Sequence, residues 1–177
     1  HDFRLRASDG EVSIDLALRS KRDPLVHGLE GVSQKSEGAG RASHYYSLTR
    51  LETSGTVRIG KKTHTVSGLT WFDHEWATNQ LAANQTGWDW FSLQFENGAE
   101  LMIFQIRTKD GTRDTFSSGT WIAADGSTRK IDFADFSLEP IDCWTSPKTK
   151  GRYPVGWKIS IPSLELSLAV RARFSDQ

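Results

Sequence analysis

Residues 70–76, with the sequence TWFDHEW, form the densest group of reactive side chains in the chain. Successive side chains of a β-strand point to opposite faces, and same-face neighbours stand about 7 Å apart. A strand here would divide its side chains into two sets: Trp71, Asp73 and Glu75 on one face, and Phe72, His74 and Trp76 on the other. At that separation two carboxyls interact, and apolar surroundings can hold one of them protonated near neutral pH.

A protonated carboxyl is the group that general-acid catalysis requires. Tryptophan faces nearby would stabilise a developing positive charge. The pattern therefore indicates that Asp73 or Glu75 protonates a carbon–carbon double bond and that water then captures the carbocation, with His74 orienting a carboxylate or the water. The alternative also stays open: both acids would face solvent or bind loop amides and arginines.

A second aromatic stretch, residues 87–95 (GWDWFSLQF), has apolar side chains on both faces, and so does its expected hairpin partner, residues 100–107. Both are predicted to be central strands. Large aromatic side chains beside isolated polar groups suit an apolar cavity with a few orienting contacts. The candidate lining residues are Trp88, Trp90, Gln94 and Gln105. The competing interpretation is a packed core covered by a loop or a second domain.

Other common chemistries lack their sequence signals. The five histidines show no His-x-His or HExxH spacing, so we expect no metal site. The G-x-S-x-G motif of many serine hydrolases does not occur. Cys143 is the single cysteine, which excludes an intrachain disulfide framework. The sequence therefore predicts no cofactor.

Length and charge limit the classes of partner. The chain has 177 residues, the size of one domain, and its 22 basic and 22 acidic residues give a formal net charge of zero. A neutral chain has no excess field to hold a nucleic-acid backbone, so no nucleic-acid partner is expected. Its apolar runs are far shorter than the roughly 20 residues of a membrane helix, so no integral membrane span is expected.

The elements that must position these residues are strands. Apolar residues alternate with polar ones over residues 12–18, 157–161 and 164–170, and Asp-Gly and Asn-Gly pairs mark hairpin turns between strands. About a dozen short strands are typical of an all-β antiparallel sandwich or barrel. Residues 21–43 contain Pro24 and four glycines without a sustained period, which predicts a long loop.

Six sequence blocks carry a family resemblance: SHYYSLTR (43–50), SGLTWFDHEW (67–76), GWDWF (87–91), ELM (100–102), WTSP (144–147) and YPV (153–155). With these blocks the chain resembles the carotenoid 1,2-hydratase and AttH-like family, also labelled predicted secreted hydrolases. Members carry two lipocalin-like β modules and are about twice this length. The resemblance implies an antiparallel lipocalin-like barrel or strongly curved sandwich, with residues 1–177 as one such domain or a fragment. It leaves open that residues 1–60 include the remnant of a preceding module.

The resemblance also implies a function and a site. It implies an apolar small-molecule ligand, isoprenoid or lipid-like, and a secreted or periplasmic location, with a second lipocalin-like module of the same protein as a partner. If the protein is an enzyme, it is a hydratase or hydrolase-like; a non-catalytic carrier and an interaction module that docks a partner domain are the alternatives. The residues that fall on the family's pocket motifs are the candidate catalytic Asp73, His74 and Glu75, the walls Trp71, Trp76, Trp88 and Trp90, and the pair Tyr45 and Tyr46.

Overall fold

The structure is a computed structural model that describes residues 2–79 and 81–174. It divides into two compact units, His1–Lys130 and Ile131–Gln177. Among the described residues the regular elements are strands and two short 3-10 turns, so the predicted all-β class is confirmed. None of the helical segments found there is long and apolar enough to span a membrane.

The first sheet contains six strands, and β5 is its centre. Its strands are β1 (Asp2–Asp9), β2 (Val12–Ser20), β3 (Leu25–Val26), β4 (Val32–Gln34), β5 (Ala42–Ile59) and β6 (Lys62–Trp76). One edge of β5 pairs with β2, β3 and β4, and the other edge pairs along its length with β6, all antiparallel. The segment predicted as a long loop, residues 21–43, therefore contributes two short strands to this sheet.

The second sheet has the order β10-β9-β8-β7. Its strands are β7 (Gln85–Gln94), β8 (Glu100–Thr108), β9 (Ser118–Ile122) and β10 (Thr128–Ile131). Strand β8 is central and buried on both faces, as its two apolar sides predict. Strand β7 is an edge strand, which corrects the prediction that both are central. Its tryptophan face is only partly covered, since Trp88 is 51% and Trp90 38% exposed.

A β-bulge in β5 ties the two sheets together. The register with β6 shifts between Leu48 and Leu51, and the hydroxyl of Thr49 and the guanidinium of Arg50 both bind the Glu100 carboxylate at the start of β8, at 2.7 and 2.6 Å. Arg22 adds a third contact to Glu100, at 2.9 Å. Glu100 is fully buried. A bulge re-aims side chains locally, and here it provides the partners that a buried carboxylate needs.

The core beneath the acidic stretch forms between the inner faces of the two sheets. It contains the buried side chains of Tyr45, Met102, Phe104 and Ile106, against which Trp71 packs. The three sheets are open: within residues 2–79 and 81–174 none closes into a barrel. In the second unit β11 (Ser137–Thr145), β12 (Arg152–Ile161) and β13 (Leu166–Arg171) form an antiparallel meander, with 3-10 turns at Phe133–Asp135 and Pro162–Leu164.

Candidate active site

The acidic stretch lies on β6, and its inner face meets hydroxyl groups from β5. The antiparallel register places Tyr45 opposite Glu75 and Ser47 opposite Asp73. The Tyr45 hydroxyl donates to Asp73 Oδ1 at 2.8 Å, and the Ser47 hydroxyl donates to the same oxygen. Ser43 Oγ donates to Glu75 Oε1 at 2.5 Å. Both carboxylates thus lie on one face of the strand and are held by neighbours on that face.

Asp73 is the end of a hydrogen-bonded chain that begins on the second sheet. His27 Nδ1 lies 3.0 Å from Thr120 Oγ1, and His27 Nε2 lies 2.8 Å from Ser47 Oγ. Because Ser47 donates to Asp73, it accepts from His27 Nε2–H, and Nδ1 then accepts from Thr120. Burial, with a smaller contribution from the positive charge of Lys35, lowers the pKa of His27 to about 3. His27 is therefore a neutral member of this chain at physiological pH.

Tyr45 joins Asp73 to the aromatic strand β7. Trp90 Nε1–H donates to Tyr45 Oη at 3.1 Å, while that hydroxyl donates onward to Asp73. Burial raises the pKa of Tyr45, and the negative charge of Asp73 raises it further. Tyr45 therefore stays protonated and acts as a fixed donor to Asp73.

Glu75 pairs with a buried lysine from the segment of residues 21–43. Lys35 Nζ lies 3.1 Å from Glu75 Oε1 and 3.0 Å from Ser33 Oγ. The Lys35 side chain is 8% exposed and the Glu75 side chain 30% exposed. Burial lowers the pKa of Lys35, and the attraction of Glu75 partly offsets this shift. The pair therefore holds an amine and a carboxylate in direct contact.

A narrow pocket opens beside this pair. Its volume is about 20 Å3, room for one water or one small functional group, because a cavity needs about 10–15 Å3 of such space to hold a water. Eight residues line it: Lys35, Tyr45, Glu75, Leu81, Trp88, Trp90, Phe104 and Ile106. The half-exposed indoles of Trp88 and Trp90 form its outer wall. Only one end of a larger molecule fits inside.

The structure gathers some of the predicted site residues in the pocket and separates others. Tyr45, Glu75, Trp88 and Trp90 line it. Asp73 does not line it; its contacts are the hydroxyls of Tyr45 and Ser47. Trp71 packs against the core cluster.

The two glutamines predicted to line the cavity, Gln94 and Gln105, instead make structural hydrogen bonds. Gln94 Nε2 donates to the carbonyl of Thr49 at 2.7 Å. Gln105 Nε2 donates to Asp89 at 2.9 Å. Asp89 and Gln105 are opposite one another in the β7–β8 register, and so are Trp90 and Phe104, which line the pocket. Because side chains alternate along a strand, Gln105 points away from the pocket.

Three further predicted residues, Tyr46, His74 and Trp76, lie on the outer face of the first sheet. Tyr46 Oη is 3.2 Å from His74 Nδ1, and the rings of His74 and Trp76 are 4.8 Å apart. Alternation along β6 requires this arrangement, because His74 stands between two inward-facing acids. The outer face therefore carries an aromatic row instead of a group that orients Asp73 or Glu75.

The polar residues that sequence reasoning missed are Lys35, His27, Ser43 and Ser47. Lys35 and His27 lie in the segment read as a loop, where no periodicity marks an inward-facing side chain. Gly28 shapes this segment: its φ is +74°, and a Cβ there would lie 2.0 Å from the carbonyl oxygen of Val32. The one available signal was the length of the segment, since loops this long are often functional.

The fold and the site together describe an all-β protein of open antiparallel sheets, with an amine–carboxylate pair at the wall of a small aromatic pocket. The sequence model of the AttH-like family matches residues 1–177, and the chain belongs to this family. The resemblance drawn from the six sequence blocks is thereby confirmed. Within residues 2–79 and 81–174, no three His, Cys, Asp or Glu side chains converge as a metal-binding group.

Known proteins that resemble the chain include a dehydratase and a hydratase. The dehydratase asqC of Emericella nidulans is 25% identical over 196 residues, which cover 99% of this chain and 50% of that protein. The crystal structure of an AttH protein from Nitrosomonas europaea has a TM-score of 0.85 and 32% identity, over 90% of this chain and 49% of the other. Kievitone hydratase from Nectria haematococca has a TM-score of 0.71 and 18% identity, over 90% and 48%, and shares the fold. The chain thus spans about half the length of these relatives.

Proposed function

We propose that this pocket binds one end of an apolar isoprenoid or lipid-like molecule and that the chain carries out hydratase-type chemistry on it, the addition or removal of water at a carbon–carbon double bond. The observation that carries the proposal is the contact of Glu75 with Lys35 in a pocket walled by Trp88 and Trp90. The names of the related dehydratase and kievitone hydratase support this reaction type.

Glu75 is the proton donor in this proposal. Transfer of a proton from Lys35 to Glu75 across 3.1 Å leaves a neutral amine and a carboxylic acid, the form that a general acid needs. Glu75 then gives its proton to one carbon of the double bond. Water forms a bond to the other carbon, and the proton that it loses returns to the Lys35–Glu75 pair. The indole faces of Trp88 and Trp90 stabilise the cation between these steps.

Asp73, the other candidate acid, acts as a positioning residue. Its Oδ1 accepts hydrogen bonds from both Tyr45 and Ser47, and it does not line the pocket. Its charge fixes the Tyr45 ring, which packs with Phe104 in the pocket wall. Asp73→Asn is therefore expected to weaken turnover less than Glu75→Gln.

The test is incorporation of heavy oxygen from labelled water into an acyclic isoprenoid alcohol such as farnesol, read by mass spectrometry. Loss of a general acid typically costs about 10²–10⁴ in rate, so Glu75→Gln is expected to fall by at least about 100-fold with ligand binding retained. The matched control is Glu52→Gln, since Glu52 forms an exposed pair with Lys21 at 2.6 Å. Equal incorporation by wild type and Glu75→Gln would remove Glu75 from the acid role.

A non-catalytic carrier or an interaction module is the second candidate. The outer aromatic row favours the interaction module, because Phe72 and Trp76 are 37% and 49% exposed there, and exposed apolar patches mark docking surfaces. Binding of farnesol without incorporation of heavy oxygen would select the carrier. A second lipocalin-like module and a secreted or periplasmic location, both implied by the family, belong to this proposal as well.

A further inference from the structure

Lys35 has an environment that differs from that of an ordinary surface lysine. Its side chain is 8% exposed, and Nζ lies 4.0 Å from the centroid of the Phe104 ring. Lysines are almost never this buried unless they are paired. By contrast, Lys21 in the exposed pair with Glu52 has a side chain that is 70% exposed. The structure thus holds one amine in apolar surroundings at the wall of a pocket.

The contacts of this amine suit nucleophilic chemistry. Burial lowers the pKa of Lys35, which raises the fraction of neutral amine. Desolvated lysines react with carbonyl carbons to form Schiff bases. Glu75 Oε1, at 3.1 Å from Nζ, can hold the proton that the amine releases. The pocket volume of about 20 Å3 admits a carbonyl group, with its alkyl chain extending past the indoles of Trp88 and Trp90.

We propose that Lys35 captures the carbonyl end of an apolar aldehyde as a Schiff base in this pocket. The Nζ lone pair forms a bond to the carbonyl carbon, and Glu75 gives the carbonyl oxygen the proton that it took from Lys35. The nitrogen returns a proton to Glu75, which leaves a carbinolamine. Glu75 then protonates the carbinolamine hydroxyl, the carbon–oxygen bond breaks, and one water leaves as the carbon–nitrogen double bond forms.

This activity shares the pocket with the proposed hydration, but it requires no addition of water to a double bond. The ligand class is an aldehyde with an apolar chain, because the pocket wall beyond Lys35 and Glu75 is aromatic and aliphatic. The heavy-oxygen assay with farnesol can therefore fail while Schiff-base formation with hexanal succeeds. The two assays can also give the opposite result, so each proposal is tested separately.

The experiment traps the Schiff base in the full 177-residue chain. The protein is incubated with hexanal and cyanoborohydride, which reduces the imine to a stable secondary amine, and each lysine is quantified by peptide mapping. Lys35 is expected to gain a hexyl group several-fold faster than Lys61, which is exposed to solvent, because the Lys35 amine is desolvated and lies at the wall of the apolar pocket that holds the aldehyde. Labelling of Lys35 at or below the rate of Lys61 would overturn the proposal.

Two controls test the site and the ligand class. Lys35→Met keeps the length of the side chain and is expected to abolish the fast adduct with an unchanged circular dichroism spectrum; a fast adduct elsewhere in this variant would refute the assignment to Lys35. Glyoxylate, a charged aldehyde, is expected to label Lys61 at least as fast as Lys35. A tenfold preference of glyoxylate for Lys35 would overturn the apolar ligand class.

Discussion

Tyr45 donates its phenolic hydrogen to Asp73 over 2.8 Å, from β5 to the neighbouring strand β6. The ring of Tyr45 belongs to the core between the two sheets, and its hydroxyl also accepts from Trp90 on β7. One buried hydroxyl therefore links the acidic stretch to the aromatic strand. The position of the pocket wall depends on this link.

Tyr45→Phe is expected to destabilise the fold by about 1–3 kcal/mol, because Asp73 loses a donor and the Trp90 N–H loses its acceptor. The measurement is the free energy of unfolding from urea titration. Tyr46→Phe is the matched control, since Tyr46 lies on the outer face with an exposed contact to His74; its effect should stay within about 0.5 kcal/mol. Equal effects of the two substitutions would contradict the assigned role of Tyr45.

Glu100→Gln is expected to cost about 3–5 kcal/mol of stability, because removing the charge leaves Arg22 and Arg50 without their buried carboxylate. Chemical denaturation measures the loss. Glu96→Gln, at an exposed position in the turn between β7 and β8, provides the comparison and should change stability by less than about 0.5 kcal/mol. A mild effect at Glu100 would show that the bulge contacts do not hold the sheets together.

Because His27 is buried in its neutral form, the free energy of unfolding is expected to depend on pH. The pKa of His27 is lowered to about 3 in the folded chain from an ordinary value of 6.5, so between these values the unfolded chain binds more protons. The stability contributed by neutral His27 is therefore fully present above about pH 6.5 and falls as the pH decreases, with a limiting slope of about 1.4 kcal/mol per pH unit.

The measurement for His27 is urea unfolding of wild type and His27→Gln between about pH 7 and pH 4. Carboxylates also titrate in the lower part of this range, so the informative quantity is the difference between the two proteins. The free energy of unfolding is expected to rise more steeply with pH for wild type than for His27→Gln, and this difference in slope should be largest below about pH 6.5. Parallel profiles would mean that His27 is not held neutral.

Tryptophan fluorescence distinguishes the pocket from the outer aromatic row. Farnesol is expected to quench or blue-shift the emission of wild type, because the half-exposed indoles of Trp88 and Trp90 lose water when a ligand covers them. Trp88→Phe should lose about half of that response, and Trp76→Phe, on the outer face of β6, should retain it. The opposite pattern would place the ligand on the outer face.

Local sequence patterns predicted the strands well. The alternation over residues 70–76 assigned Asp73 and Glu75 to one face and His74 and Trp76 to the other, and the two apolar sides of residues 100–107 predicted the central strand β8. These features repeat every two residues, so a short window of sequence contains all the information they need. The AttH-like blocks identified the family for the same reason, since each is a contiguous segment.

The partners of the acids were decided by the tertiary structure alone. Lys35 meets Glu75 and His27 meets Ser47 only because β3 and β4 pair with the first half of β5. The sequence of residues 21–43 has no sustained hydrophobic period from which the register of that pairing could be predicted. The edge position of β7 and the bulge that turns Arg50 toward Glu100 likewise depend on contacts between distant segments. Side-chain alternation is a local property of the backbone, whereas strand order and register are set by packing across the whole sheet.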